Sequence, residues 1–200
     1  MTKTLRIVAA ALTLTVVWSA ESKAQQSEWF WGMEYMVGLA TSDTKDFAGG
    51  NVQFRNFGIE GRYVASPNMS VGLYLGWNVF FNETSDVINL DGVDISGEQF
   101  RYVNAFPILA TGHYYFGLPG GFRPYVGVGV GTYYVENRLD IGLSSIVLDG
   151  WHFGVAPEIG VVIPVDWHVR SFLNVRYNWM TKTNDIQPSY FTIGVGFAWM

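Results

Sequence analysis

The chain ends in Phe191-Thr-Ile-Gly-Val-Gly-Phe-Ala-Trp-Met200, where large apolar residues alternate with small ones. A period of two is that of a β-strand, because successive side chains point to opposite faces. One face of this strand is aromatic or β-branched, whereas up to residue 198 the other carries only threonine, glycine and alanine. A strand with an apolar outside and a small, weakly polar inside is typical of a barrel wall that faces lipid.

Residues 1–24, at the other end of the chain, have the organisation of a cleavable signal peptide. Lys3 and Arg6 precede an apolar stretch over residues 7–18, and Ser22 and Ala24 provide small residues at positions −3 and −1 of a cleavage site. The apolar stretch is shorter than the ~20 residues that a membrane-spanning helix requires. We therefore predict that residues 25–200 form one exported domain.

The composition narrows the choice of fold and function. Hydrophobic residues make up 49% of the chain and charged residues 14%, yet after Ala24 no stretch approaches ~18 consecutive apolar residues. A closed barrel is the remaining way to satisfy backbone groups in lipid. The chain has no cysteine, which excludes disulfides and thiolate metal sites, and its net charge of −5 argues against binding nucleic acid.

Alternation recurs eight times after the signal peptide and predicts an all-β fold, an eight-stranded antiparallel transmembrane β-barrel. Pro107 falls inside the fourth strand, where we expect a bulge or a local break in pairing. The predicted strands cover residues 29–40, 54–64, 69–81, 99–116, 123–135, 151–163, 168–180 and 191–200.

The links between these strands alternate in length. The odd-numbered links are long and polar (residues 41–52, 82–98, 136–149 and 181–189), whereas the even-numbered links are short (residues 65–68, 117–121 and 164–166). Outer-membrane barrels have short periplasmic turns and longer outer loops, so we expect both termini in the periplasm of a Gram-negative bacterium. Aromatic residues near the strand ends are expected at the two lipid interfaces, among them Trp31, Trp77, Trp151, Trp179 and Trp199.

The segment Phe122-Arg-Pro-Tyr-Val-Gly-Val-Gly-Val-Gly131, preceded by His113-Tyr-Tyr-Phe116, resembles the central hairpin of small outer-membrane barrels related to OmpW, OmpA and the opacity proteins. The terminal aromatic strand resembles the signal by which such chains are recognised by the barrel-assembly machinery. Members of that group usually end on Phe or Trp, whereas this chain ends on Trp199-Met200. The resemblance implies the architecture but not one activity, because the superfamily includes adhesins, structural anchors, small channels and a few lipid-modifying enzymes.

Inward-facing charged residues are the candidates for a functional site. Charges inside a narrow barrel must be paired, so we expect either a salt-bridge network that fills the lumen or a gate in a small selective pore. The abundant inward glycines allow either a cavity or filling by Tyr74, Tyr115 and Tyr133. The predicted lumen network consists of Glu34, Glu60, Arg62, Arg101, His113, Glu158 and Arg176.

Three functions remain open on the sequence alone. The first is a structural or surface-interaction role in the envelope, with lipopolysaccharide, outer-membrane lipids or another envelope protein as partners. The second is a narrow channel or lateral-exit transporter for small, hydrophobic molecules. The third, a lipid-modifying enzyme, is disfavoured because the chain has three histidines and no His-x-Ser pair like that of lipid A deacylase barrels. We expect no catalytic residue, no cofactor and no dedicated metal site.

Overall fold

The computed structural model describes residues 29–84, 88–90, 93–95, 99–141, 144–183 and 186–199. Among these residues no helix is long and apolar enough to cross a membrane. The predicted signal peptide lies outside the described residues. The elements, in chain order, are β1 (Trp29–Thr41), α1 (Ser42–Ala48), β2 (Val52–Ser66), β3 (Met69–Thr84), β4 (Ile88–Leu90), β5 (Val93–Ile95), β6 (Gln99–Tyr115), β7 (Arg123–Ile141), β8 (Ser144–Pro164), β9 (Val169–Met180) and β10 (Pro188–Trp199).

Eight of the strands form one closed antiparallel barrel, and the predicted fold class is confirmed. The order around the wall is β1-β10-β9-β8-β7-β6-β3-β2, so sequential strands are neighbours throughout. The barrel closes where β1 pairs with β10, from Trp31↔Trp199 to Thr41↔Ser189. The short strands β4 and β5 pair with each other outside the wall.

The register of the strands fixes the width of the barrel. Starting from Trp31 and moving once around the wall through paired residues leads to Thr41, ten residues further along the same strand. Such a stagger in an eight-stranded barrel tilts the strands by roughly 35–45° and leaves an interior just wide enough for side chains. The residues passed on the way are Gly61, Leu73, Ala110, Val130, Val155, Trp179 and Ser189.

Two prolines interrupt the ladders of the wall. The pairing of β3 with β6 is missing opposite Pro107, and that of β8 with β9 is missing beside Pro157. Proline has no N–H to donate and is therefore poorly suited to a ladder on both sides. The register is the same before and after each gap, so the expected irregularity at Pro107 is a local break and not a bulge.

The outward face is apolar over the middle of the wall, as the alternation predicts. Val195 is 45% exposed in the middle of β10, and Val126 and Val128 are similarly exposed on β7. All five tryptophans expected at the lipid interfaces are exposed. Trp31 and Trp199 are cross-strand partners at the end that carries the short turns, whereas Trp77, Trp151 and Trp179 lie toward the other end.

The end that carries the long links departs from the sequence prediction in two places. The predicted loop 136–149 is wrong, because β7 continues to Ile141, β8 begins at Ser144 and the two strands stay paired over this length. The alternation persists here, but the outer face turns polar at Arg138 and Asp140. A polar outer face is typical of a loop, which is why the hydropathy pattern does not predict these strand residues.

The predicted loop 41–52 likewise contains α1, a helix of seven residues. Thr44 and Ala48 on this helix are buried, and Phe47 packs against the apolar residues in the upper lumen. Thr44 Oγ1 also accepts a hydrogen bond from the backbone N–H of Ser189 at 3.2 Å, which ties the helix to β10. The helix therefore lies across the mouth of the barrel.

Replacement of Val195 with arginine tests the lipid-facing wall. A charge near the midplane of the bilayer costs about 2–4 kcal/mol, and one at an interface about 0–1 kcal/mol. Val195→Arg should therefore reduce the free energy of unfolding in lipid vesicles far more than Trp199→Arg, as measured by urea titration. Equal effects of the two substitutions would contradict the placement of β10 in lipid.

Candidate functional site: the barrel lumen

Glu60 and Arg62 begin a cluster of paired charges that crosses the lumen. Both side chains are on β2, two residues apart and therefore on the same inward face. Arg62 Nη2 donates to Glu60 Oε2 at 2.8 Å and lies 3.6 Å from Glu158 Oε1 on β8. Arg62 is fully buried, with its guanidinium carbon 5.2 Å from the centre of the Phe30 ring and 5.1 Å from that of Tyr125.

Arg176, on β9, forms the second centre of the cluster. Its Nε donates to Glu158 Oε2 at 2.6 Å and its Nη1 to Glu34 Oε1 at 3.1 Å, while its guanidinium carbon lies 3.8 Å from the centre of the Tyr74 ring. Glu158 thus bridges the two arginines. Charge-assisted bonds of this kind are the strong ones in a low-dielectric interior.

The cluster holds three carboxyl groups and two guanidinium groups, and neutral donors add further hydrogen bonds. The Tyr125 hydroxyl donates to Glu158 Oε1 at 2.5 Å, and Asn174 Nδ2 donates to Glu34 Oε2 at 2.6 Å. Every carboxyl group therefore has at least one short contact to a donor. An arrangement of this kind holds the side chains in place and leaves none of the five charged groups unpaired.

His113 lies at the edge of the cluster, between Ser70 and Glu158, which is the order of side chains in a hydrolase triad. Its Nδ1 is 3.4 Å from Ser70 Oγ, and its Nε2 is 4.0 Å from Glu158 Oε1. The latter distance is too long for a hydrogen bond. Ser70 and His113 are both buried, and the serine hydroxyl also contacts the Tyr115 hydroxyl at 3.1 Å. Both side chains are therefore part of the packed interior of the barrel.

Arg101 is the one predicted member of the network that the structure places elsewhere. It points inward, but from the upper end of β6, where its Nη2 donates to Gln99 Oε1 at 3.1 Å. No contact with the five charged residues of the cluster is present among the described residues. The inward phase of Arg101 follows from the alternation, but its height follows from the stagger of the strands, which alternation does not encode.

Apolar side chains fill the lumen above and below the charged cluster. The glycines provide the space, because a Cβ at Gly154 would lie 2.7 Å from the Tyr133 ring and one at Gly160 would lie 2.6 Å from the Tyr125 ring. The rings of these tyrosines therefore lie in positions that only glycine leaves open. The lower layer contains Phe30, Tyr115, Tyr125, Val162, Phe172 and Ala198, and the upper layer, beneath α1, contains Met36, Tyr74, Phe80, Leu109, Tyr133, Met180 and Tyr190 among others.

Tyr125, Asn174 and Phe172 contribute to the lumen but were absent from the predicted network. Tyr125 has the same phase as Gly127 and Gly129, so the alternation alone could have placed it inside. Asn174 is a partner of Glu34, 140 residues away in the sequence, and alternation within single strands does not predict this contact. Within the described part of the chain, no three His, Asp or Glu side chains converge in a way that would suit a metal ion.

A small cleft lies outside the plugged lumen, at its mouth. This mouth cleft has a volume of about 350 Å³ and separates α1 from the upper parts of β6, β7 and β8. Asp46 is exposed on the helix side, and Asp43 Oδ2 accepts a hydrogen bond from the backbone N–H of Gln187 at 2.5 Å. The lining residues are Asp43, Thr44, Asp46, Phe47, Arg101, Asn137, Leu148, Ile186 and Pro188.

Comparison with known protein families gives one match that covers nearly the whole chain. Residues 9–198 match the family model described as "Outer membrane protein beta-barrel domain". No curated protein sequence is significantly similar to this chain.

Solved structures with the same fold include three outer-membrane proteins. The neisserial surface protein A is 16% identical, with a TM-score of 0.57, over 88% of this chain and 99% of that one. The attachment invasion locus protein Ail of Yersinia pestis is 12% identical, with a TM-score of 0.52, over 88% and 100%. A major outer membrane protein of Thermus thermophilus is 10% identical, with a TM-score of 0.52, over 86% and 99%. At these identities the similarity establishes the fold alone.

Removal of one buried arginine tests the charged cluster. Arg176→Met leaves Glu34 and Glu158 without their closest cation, which should reduce the free energy of unfolding by about 3–5 kcal/mol. The matched control is Arg138→Met, because Arg138 pairs with Asp140 at a site where its side chain is 49% exposed, so its loss should change the free energy of unfolding far less. Equal small losses in a denaturant titration would mean that the lumen is open to water.

Proposed function

The chain belongs to the outer membrane protein beta-barrel domain family, and from that premise we propose that it is a closed barrel that acts through its outer surface. Its role would be structural or adhesive: it would hold a rigid wall in the outer membrane and present the elements above that wall to a partner. The observation that carries this proposal is the filling of the lumen by side chains at every level from Phe30 to Tyr190.

A transport role remains the alternative, and it would require a path through this interior. The paired charges of Arg62, Arg176 and Glu158 would have to separate, at a cost of several kcal/mol, and α1 would have to leave the mouth. Lateral exit would need an opening in the wall below the cluster or above it. No catalytic role is part of the proposal, because the buried Ser70 and His113 have no access for a lipid substrate.

We infer the orientation from the lengths of the links and from the aromatic residues. The short turns at residues 67–68, 116–122 and 165–168 would face the periplasm with both termini, and α1 and the paired extension of β7 and β8 would face outward. The lipid-facing band would contact outer-membrane lipids, with lipopolysaccharide on the outer side. The terminal strand β10 would be the part that the barrel-assembly machinery recognises.

The charge of the outer elements argues against one class of partner. Ail has been solved in complex with the heparin analogue sucrose octasulfate. In the present chain the links expected outside carry an excess of acid, with Asp43, Asp46, Asp140 and Asp149 among the described residues. Like charges repel, so we propose that the partner of this barrel is not a polyanion.

Electrical recording tests the closed lumen. The protein, inserted into a planar bilayer at neutral pH, should give no stable single-channel steps, because the lumen holds no continuous water-filled path. A general porin inserted into the same bilayer serves as the positive control. Steady steps whose size increases with salt concentration would contradict the closed barrel and favour the channel.

Cysteine labelling tests the orientation, and the absence of native cysteine makes each introduced thiol unique. Ser144→Cys, at the tip of the extension, should react with a membrane-impermeant maleimide on whole cells. Asn68→Cys and Gly120→Cys, in two of the short turns, should react only after the outer membrane is opened. The reverse pattern would place the termini outside.

A further inference from the structure

The strand β8 has an unpaired edge above the membrane-spanning wall. It pairs with β7 over its full length, from Ser144 to Val162, but with β9 only from Gly154 onward. On the side that faces away from β7, residues 144–152 have no strand partner in the part of the chain that the structure describes. We refer to this side of residues 144–152 as the free edge.

The direction of the backbone groups shows which residues present donors and acceptors there. The carbonyl of Phe153 accepts a hydrogen bond from the N–H of Thr181 at 2.7 Å, so Phe153 points toward the β9 side. Backbone groups alternate along a strand, and the N–H and C=O groups of Ser145, Val147, Asp149 and Trp151 therefore point the same way. The free edge thus offers four donors and four acceptors in a row.

This edge lacks the features that usually protect an exposed strand. Natural edges are shielded by proline, lysine, bulges or a covering loop. The segment Ser144-Ser-Ile-Val-Leu148 contains neither proline nor any charged residue, and Ile146, Val147 and Leu148 are about half-exposed on its two faces. An apolar, unpaired strand that projects into solvent is a template for another strand.

The mouth cleft lies directly beside the free edge. Leu148 on β8 lines the cleft together with Ile186 and Pro188. A strand added along β8 would pass this cleft, and one of its inward side chains would enter it. There it would meet the exposed carboxylate of Asp46 and the ring of Phe47. Asp43 and Arg101 also line the cleft, so two carboxylates face one guanidinium group, and the setting suits a long basic side chain with an apolar stem.

We propose that an extended segment of a partner protein adds to the free edge of β8 as a further strand and places a lysine or arginine in the mouth cleft. The main-chain hydrogen bonds to Val147 and Asp149 would provide affinity, and the basic side chain would provide selectivity. This proposal rests on the proposed function, since it names the surface through which a closed barrel would act.

A second copy of this chain in the same membrane does not fit the free edge. Both copies would carry β8 in the same direction across the membrane, so the two edges could not form an antiparallel ladder. In a parallel pair, a residue whose N–H and C=O groups point at the partner strand lies opposite a residue whose groups point away. Two-fold symmetry would make these two residues the same, so a symmetric dimer cannot form this ladder. This rules out a two-fold dimer through the free edges, and the proposed occupant is a different polypeptide.

A tethered peptide tests the proposal without requiring high affinity. Ser144→Cys in lipid nanodiscs would be joined by a disulfide to a synthetic peptide of alternating threonine and valine, with one central lysine and a terminal cysteine. Tethering raises the effective concentration to about the millimolar range. Hydrogen exchange of the Val147 and Asp149 amides, followed by NMR, should slow by about tenfold or more when the strand forms.

Matched peptides and variants make each outcome decisive. A peptide N-methylated at every second residue should give no protection, because it cannot form the ladder. Norleucine in place of the lysine, or Asp46→Asn in the barrel, should reduce the protection of the amides, whereas Arg138→Gln, away from the cleft, should not. No protection with the unmodified peptide, or protection at high protein concentration without any peptide, would overturn strand addition. Equal protection with the norleucine peptide and with Asp46→Asn would overturn the role of the cleft.

The recording in planar bilayers keeps this proposal separate from the proposed function. Channel steps together with amide protection would refute the closed barrel and leave strand addition standing. A silent barrel without amide protection would leave the closed barrel standing and refute strand addition.

Discussion

The structure depends on one constraint, which is that no backbone N–H or C=O group can be left without a partner in lipid. Pairing between β1 and β10 meets it by removing both edges of the sheet. Eight strands with a stagger of ten residues then enclose a cylinder only wide enough for side chains. The narrow lumen is thus a consequence of closure, and its contents follow from its width.

The lumen must therefore be filled, and the chain fills its middle with side chains of opposite charge. Two arginines and three glutamates from four strands meet at mid-height, with Glu158 in contact with both guanidinium groups. Aromatic rings occupy the layers above and below, and those of Tyr125 and Tyr133 lie in spaces that glycines on the neighbouring strand leave open. Four of the five charged side chains pair with a residue from another strand, and Glu60 pairs with Arg62 on its own strand. The pairing of the interior therefore depends on the register of β1, β2, β8 and β9.

Alternation in the sequence was enough to predict the strand number, the closed barrel and the face on which most residues lie. It was also enough to place the seven predicted network residues on the lumen side. It could not predict that six of them meet at the cluster while Arg101 lies above it, because the height of a residue depends on the stagger between strands. It also missed α1 and the paired extension of β7 and β8, because outside lipid the outer face no longer has to be apolar and a seven-residue helix has too few turns to show a period.

The two gaps at Pro107 and Pro157 divide the wall into unequal parts. The gaps lie on either side of β6, β7 and β8, the three longest strands of the barrel. Pairing within this group is unbroken over its full length, whereas its two seams to the rest of the wall each lack hydrogen bonds midway. A force applied to the outer end of this group would therefore concentrate mechanical stress at the two prolines. The three strands would move as one rigid unit relative to the rest of the wall.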